Sequence, residues 1–402
     1  MSFLRILHVV PYFEGAWAYG GIPRLATALV RGLARRGHQV TVCTTDAGDD
    51  RSRWRHHGAD APHNVDLRVF PNISNRLAYD WQMFLPVGLF SFLRRHAPAF
   101  DVAHLHACRN VPGLVAAHWL RRAGVPYVIS PNGTAPLLER RYAAKRVFDA
   151  LGGRAVFEHA DAVVAVTDAE RRQLVELGLA EERIRLVPNP IDETEFSGDV
   201  DANRFRRWYG LGDAPVVLFL GKLTPRKGVE HLVHAFSMLT TSGARLVIAG
   251  NDMGAGASID AAVSMHAVRD RVVRTGLLRG SDRIHAVAAA SVVVYPSRDE
   301  IFGLVPLEAL MAGTPVVVCS DSGCGEVIGR IGGGHVIPYA DPITLAGAID
   351  AILGSPALWK QRAASAGQRA RARYGIDVVS EQMERVYTGL AARRAYAQAH
   401  SR

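Results

Sequence analysis

The sequence predicts an α/β protein built from two doubly wound, parallel-sheet domains of Rossmann-like type. Three observations predict it. Short β-branched runs alternate with helical periodicity along the chain, as expected of strands covered on both faces. The alternation runs twice, with a break rich in Pro, Gly and charge from Asn189 to about Gly212. The length of 402 residues also exceeds one ordinary domain.

In the first half, strands are expected at 6–10, 40–43, 67–70, 102–105, 127–130, 162–166 and 184–187, with helices at 22–36, 111–122 and 169–177. In the second, strands are expected at 216–220, 245–249, 272–275, 292–295, 316–318 and 335–337, with helices at 229–239, 282–290, 302–312 and 343–353. Such alternation implies parallel strands joined by right-handed crossovers. A short helical patch at 203–209 interrupts the linker, and an Ala/Arg-rich helical tail spans 358–394 with a break at Tyr374-Gly375.

Composition narrows the class. Hydrophobic residues make up 49% and charged residues 21%, a globular balance. No apolar run reaches the length of a spanning helix. The opening Phe3–Val10 segment reads as a first strand rather than a signal peptide. Cys43, Cys108, Cys319 and Cys324 lack paired-motif spacing, which suits a reducing cytoplasm and argues against a disulfide framework or structural zinc. The net charge is +9, and the excess sits at 1–160 (20 basic, 11 acidic) and 355–402 (9 basic, 3 acidic). Such surfaces favour anionic partners: phospholipid headgroups, a diphosphate-linked lipid or nucleic acid. No helix-turn-helix, zinc or aromatic-platform signature supports nucleic acid.

Four segments carry candidate chemistry. The first is Asp299-Glu300-Ile301-Phe302-Gly303-Leu304-Val305-Pro306-Leu307-Glu308, set between two apolar runs. It reads as loop then helix at the carboxyl end of a buried strand, where doubly wound sheets bind ligands. Glu300 falls in the loop and Glu308 in the helix. The second is Gly221-Lys222-Leu223-Thr224-Pro225-Arg226-Lys227-Gly228. Only four of the 47 basic residues are Lys, and two of them stand here. Compact ammonium groups beside a helix start suit a diphosphate.

The third is the loop from Pro11 to Gly21, which is neither a Walker loop nor a Gly-x-Gly-x-x-Gly fingerprint. The fourth is His104-Leu105-His106, whose alternation puts both imidazoles on one face. No acidic or Cys partner stands at ligand spacing, so no metal is expected.

Glu300-x7-Glu308 with Phe302-Gly303, together with the Gly-Lys…Lys-Gly loop, resembles the signature of retaining glycosyltransferases of family 4, which have the GT-B fold. Weaker echoes are Asp161–Thr167, Val187–Asp192, Arg274–Leu278 and Cys324–Glu326. The resemblance is loose from about 45 to 100. It implies two Rossmann-like domains facing across a cleft: an acceptor-binding domain over 1–200, joined by a returning helix at about 375–402, and a nucleotide-sugar domain over 201–374. It implies that Lys222 and Lys227 grip the donor diphosphate, with Lys222 standing where Arg is commoner. Glu300 contacts the sugar hydroxyls, Glu308 the ribose, and Leu278 belongs to the loop that cradles the base. Phe302, Gly303 and Leu304 offer backbone N–H groups. Gly20 and Gly21 approach the phosphates and sugar, and His106 positions the sugar. The leaving phosphate takes the acceptor's proton on the same face, and no metal or other cofactor is required.

The reading is a hexosyl transfer, with retention, from a UDP- or GDP-sugar to a hydroxyl acceptor of lipid-linked, polysaccharide or glycolipid type, in the cytoplasm, either free or at the inner face of the cytoplasmic membrane. Rival readings are a GT-B phosphorylase or epimerase and a catalytically silent sugar-nucleotide-binding component of an envelope assembly. Residues 79–96, apolar and aromatic with cations at their end, read either as a membrane-docking segment or as an ordinary amphipathic helix over the sheet. Arg140, Arg141, Lys145 and Arg146 form a second basic cluster, offset in part by Glu139.

Overall fold

The structure is a computed structural model describing residues 3–49, 52–54, 63–136, 142–196, 198 and 200–400. The chain divides into two compact units, Met1–Pro190 with Ile376–Arg402, and Ile191–Gly375. The first crossing therefore falls about ten residues before the expected boundary at 200. The cause is local: Ile191 N–H donates to the Tyr374 carbonyl at 2.8 Å, and Glu195 pairs with Arg283, so the linker packs with the second unit.

The first unit holds a seven-stranded sheet in the order β3-β2-β1-β4-β5-β6-β7. Its strands are β1 (Arg5–Val9), β2 (Gln39–Thr45), β3 (Val65–Phe70), β4 (Val102–His106), β5 (Tyr127–Ser130), β6 (Ala162–Ala165) and β7 (Ile184–Leu186). Every pairing is parallel. One face packs Leu7, Val9, Leu105 and Ile129 against Leu93, Ala116 and Leu120. The other packs Ile6, Val42 and Val128 against Leu29 and Leu33 and against Met383 and Tyr387 of the C-terminal helix Ile376–His400. That helix lies against the helix Gly21–Arg35 so closely that a Cβ on Gly32 would meet Ser380 Oγ at 2.0 Å.

The second unit holds a six-stranded parallel sheet in the order β10-β9-β8-β11-β12-β13. Its strands are β8 (Val216–Leu220), β9 (Arg245–Ala249), β10 (Val272–Gly276), β11 (Val292–Tyr295), β12 (Val316–Cys319) and β13 (Gly334–Ile337). The central strands β8, β11 and β12 are buried at every position, which is why they read as unbroken apolar runs.

Three expectations need correction. Residues 79–96 do not form one helix. Helices Asn75–Trp81 and Leu89–His96 flank an irregular segment, because Gln82 turns left-handed (φ 55°), Gly88 does the same (φ 91°), and Pro86 lacks an N–H. The helix expected at 302–312 starts later, at Leu304, because Gly303 holds a φ of 78° and keeps Phe302 in the loop. The helices Gly256–Met265 and Gly323–Ile331 were not foreseen. Glu139, Arg140 and Arg141 of the basic cluster lie outside the described residues.

Candidate active site

Ligands of doubly wound sheets bind where strand order reverses, at the carboxyl ends. In the second sheet that point lies between β8 and β11, which pair through Val217↔Val292 and Leu218↔Val293. β8 delivers Gly221 and Lys222, then the turn Pro225–Lys227; β11 ends on Tyr295 and delivers the loop to Gly303. The two loops meet side chain to side chain. Lys227, 6% exposed, pairs with Glu300 through Nζ and Oε2 and donates to Tyr295 Oη at 2.6 Å. Tyr295 Oη donates in turn to Glu300 Oε2 at 3.3 Å.

The electrostatics follow from burial and pairing. Burial works against both charges, but Glu300 and Tyr295 outweigh it and hold the Lys227 ammonium above its ordinary range. Likewise, burial pushes Glu300 up, while Lys227 outweighs this and brings the carboxyl below its ordinary value. Tyr295 is pushed up to about 12 by burial and then by the Glu300 charge, so it stays a phenol. The site thus holds a fixed cation, a fixed anion and a neutral hydroxyl in mutual contact.

The backbone is shaped to match. The Glu300 carbonyl accepts from the Cys324 N–H and the Ser322 hydroxyl, each at 2.8 Å. The Asp299 N–H donates to Asp321 at 2.8 Å. At Gly303 a Cβ would stand 2.3 Å from Cys324 Sγ, so space as well as φ demands glycine. Phe302 is buried edge-on to Tyr374, with ring centres 5.4 Å apart. The helix Leu304–Met311 starts beside this loop, and its first N–H groups have no partner within the helix.

Glu308 is the fifth residue of that helix and 1% exposed, with Arg283 Nη1 at 3.0 Å from Oε2. Lys222 is half-buried at the end of β8. Leu278 is buried after β10, separated from β8 by β9 in the sheet order. The structure therefore brings Lys227 and Glu300 into contact, places Phe302 and Gly303 on the loop that follows Glu300 and Leu304 at the start of the next helix, and sets Leu278 farther along the sheet edge.

In the first unit the reversal lies between β1 and β4. Gly20, with φ 91° and ψ −137°, ends the loop after β1 and opens the helix from Gly21. That backbone conformation is essentially reserved for glycine. His104 and His106 share a face, as alternation predicts, with ring centres 4.1 Å apart. Strand register adds His8, directly opposite His104. His8 Nδ1 and His106 Nε2 share a hydrogen bond at 3.0 Å, while His104 bonds Tyr387 Oη at 2.6 Å and Ser130 Oγ at 2.7 Å. Burial keeps all three neutral: His106 is lowered to about 3, and burial also holds His8 and His104 well below the ordinary imidazole range, with added repulsion from His106. Their nitrogens lie within 4.8 Å of one another, a grouping of the kind that holds metal ions and one the sequence expectation of no metal did not anticipate. His8, Tyr295 and Arg283 were missed in the sequence. His8 and Tyr295 read as strand residues, and Arg283 stands in the polar first turn of its helix, beside Asp282, where a cation gives no signal.

The family models agree with this architecture. The model described as Glycosyltransferase Family 4 matches residues 19–195, and that described as Glycosyl transferases group 1 matches residues 202–373. A D-inositol 3-phosphate glycosyltransferase from Frankia alni is 30% identical over 95% of this chain and 97% of its own. The chain belongs to the family 4 glycosyltransferases. Its fold is GT-B: the glycosyltransferase superposes on the Anabaena HepE structure, solved with UDP and glucose, with a TM-score of 0.75 and 17% identity over 96% of this chain and 100% of that one. A GDP-mannose-dependent alpha-mannosyltransferase from Mycobacterium tuberculosis is 29% identical over 80% of this glycosyltransferase and 81% of its own chain.

Proposed function

We propose that this glycosyltransferase moves a hexosyl group from a nucleoside diphosphate sugar, with UDP or GDP as the carrier, to a hydroxyl of a lipid-linked, polysaccharide or glycolipid acceptor, retaining the anomeric configuration. The observation that carries the reading is the Lys227–Glu300–Tyr295 contact at the strand reversal of the second unit. An anionic leaving group needs a preplaced cation. Lys227 has three donors, and Glu300 and Tyr295 leave its ammonium capacity for a phosphate oxygen. Lys222 supplies the second charge. The start of the helix Leu304–Met311 adds N–H groups from Gly303 and Leu304 beside Phe302, aimed at developing negative charge. Glu300 then orients sugar hydroxyls, Glu308 the ribose and Leu278 the base.

His106, Gly20 and Gly21 keep the positioning roles implied by the family resemblance. A neutral imidazole suits that role, because it hydrogen-bonds an uncharged sugar without drawing phosphate away from the lysines. The acceptor's proton passes to the leaving phosphate, so the charges the protein supplies suffice without a metal. The names of the mannosyltransferase and HepE relatives support a nucleotide-sugar donor. An exposed apolar set on the first unit, including Trp81, Met83, Val87 and Phe90, supports work at the inner membrane surface.

The test is a transfer reaction in EDTA with UDP- and GDP-hexoses and polyprenyl-diphosphate-sugar or glycolipid acceptors, with the product anomer read by NMR. The expected product keeps the donor's configuration. An inverted product, or turnover only with added divalent metal, contradicts the proposal.

A further inference from the structure

The structure points to Arg283 as a positioning residue for ribose recognition. We infer that Arg283, oriented by Glu195, keeps the Glu308 carboxylate ionised and aimed, so that it can accept both hydroxyls of a ribonucleoside diphosphate. The inference rests on the reading that Glu308 faces the donor ribose.

Three observations carry it. Glu308 and Arg283 are buried to 1% and 5% exposure, with Arg283 Nη1 at 3.0 Å from Glu308 Oε2. Arg283 also pairs through Nη2 with Glu195, in the turn Glu193–Phe196, so its guanidinium is shared between two carboxylates on separate elements. Arg283 is the third residue of the helix Ser281–Ala289, which starts just past the loop holding Leu278. It therefore stands between the segment assigned to the base and the helix assigned to the ribose.

The physical reason is the cost of burying charge. A carboxyl buried without a cation keeps its proton to higher pH, and a protonated carboxyl no longer accepts through both oxygens. Arg cannot give up its proton, and its planar fork fixes direction as well as charge. One Glu308 oxygen meeting Arg283 still leaves lone pairs for a diol. Both oxygens are closed to solvent in this structure, so a diol reaches them through a rotation of side chains on this wall. A fixed cation behind the carboxylate keeps it ionised through that rotation. Glu195 holds the far side of the guanidinium and so limits where it can turn.

The experiment is calorimetric titration of UDP and GDP, each against its 2′-deoxy counterpart, at pH 6 and pH 8.5. Wild type is compared with Arg283→Met, Arg283→Lys, Glu195→Gln and Glu308→Ala. Wild type should prefer the ribonucleotide by about tenfold or more, the worth of a hydrogen bond to a charged group. Arg283→Met should lose most of that preference at pH 6 and regain part at pH 8.5, while Arg283→Lys should keep most of it. A merely structural role would lower the melting temperature and leave the ratio and its pH dependence alone. Should Arg283→Met fail to fold, Glu195→Gln carries the same test with a smaller expected loss. An unchanged ribose preference in these variants, with Glu308→Ala abolishing it, overturns the part given to Arg283. A preference that survives Glu308→Ala overturns the ribose reading on which the inference stands.

Discussion

The two sheets follow one plan and hold opposite chemistry at the same place. Where strand order reverses in the second unit, a lysine and a glutamate are locked together as charges. At the matching place in the first unit, three imidazoles stack in the core and burial keeps them neutral. The difference teaches how a doubled fold divides labour. A charged cluster suits an anionic leaving group, while neutral donors and acceptors suit hydroxyls. The paired cluster also depends on both partners, whereas the imidazoles depend on staying unprotonated.

The sharpest way to break this comparison is to remove one member of the charged pair. Lys227→Ala should lower turnover by roughly 10²–10⁴-fold, the usual range for deleting a preorganised charge-stabilising group. It should also destabilise the second unit by about 3–5 kcal/mol, because Glu300 is left without its cation. The double variant Lys227→Met with Glu300→Leu should recover much of the stability and none of the activity. Denaturant melts and nucleoside diphosphate release measure the two separately.

The next effect is steric. Gly303→Ala places a methyl against Cys324 Sγ and forces a left-handed φ on a residue with a side chain. A loss of roughly 2–4 kcal/mol is expected from overpacking and backbone strain together. Adding Cys324→Ala should restore only the overpacking share, which a double-mutant cycle would read.

Within the first unit, pH acts through two sets of buried groups with opposite signs. His8, His104 and His106 have depressed folded-state values. The stability they contribute is present above their ordinary value near 6.5 and is lost as pH falls below it, by up to about 1.4 kcal/mol per pH unit for each imidazole that the unfolded chain protonates. Melting temperatures from pH 8 to pH 5 should fall, and His8→Asn should flatten that slope.

The smallest effect runs the other way. Glu170 is buried and raised to about 7 by burial, despite hydrogen bonds from the Val166 and Gly133 N–H groups. Its contribution is complete below about 4.5 and is lost as pH rises through 7. Glu170→Gln should therefore reduce the loss of stability between pH 5 and 8, at the cost of one acceptor.

Much of this was legible in the sequence, for reasons that can be named. Buried parallel strands are continuous apolar runs, so β8, β9 and β11 were read residue for residue. Lys227 and Glu300 were legible because each sits in a loop directly after such a strand. His8 was not, because its partner His106 lies 98 residues away and only strand register joins them. Arg283 was hidden for the same reason, since its meeting with Glu308 depends on the packing of two helices. The helix Gly323–Ile331 carries three glycines and masked its own periodicity. The split within 79–96 was signalled in part by Pro86 and Gly88, whereas the left-handed turn at Gln82 is one its residue type does not announce.

The central claim is that the charged cluster of the second unit binds the donor diphosphate. Calorimetric titration of UDP and GDP in EDTA tests it most directly, on wild type, Lys227→Ala and His106→Ala. The account predicts one-to-one binding by wild type to at least one of the two, loss of that binding in Lys227→Ala, and its retention in His106→Ala. No binding by wild type, or equal binding by Lys227→Ala, would contradict it.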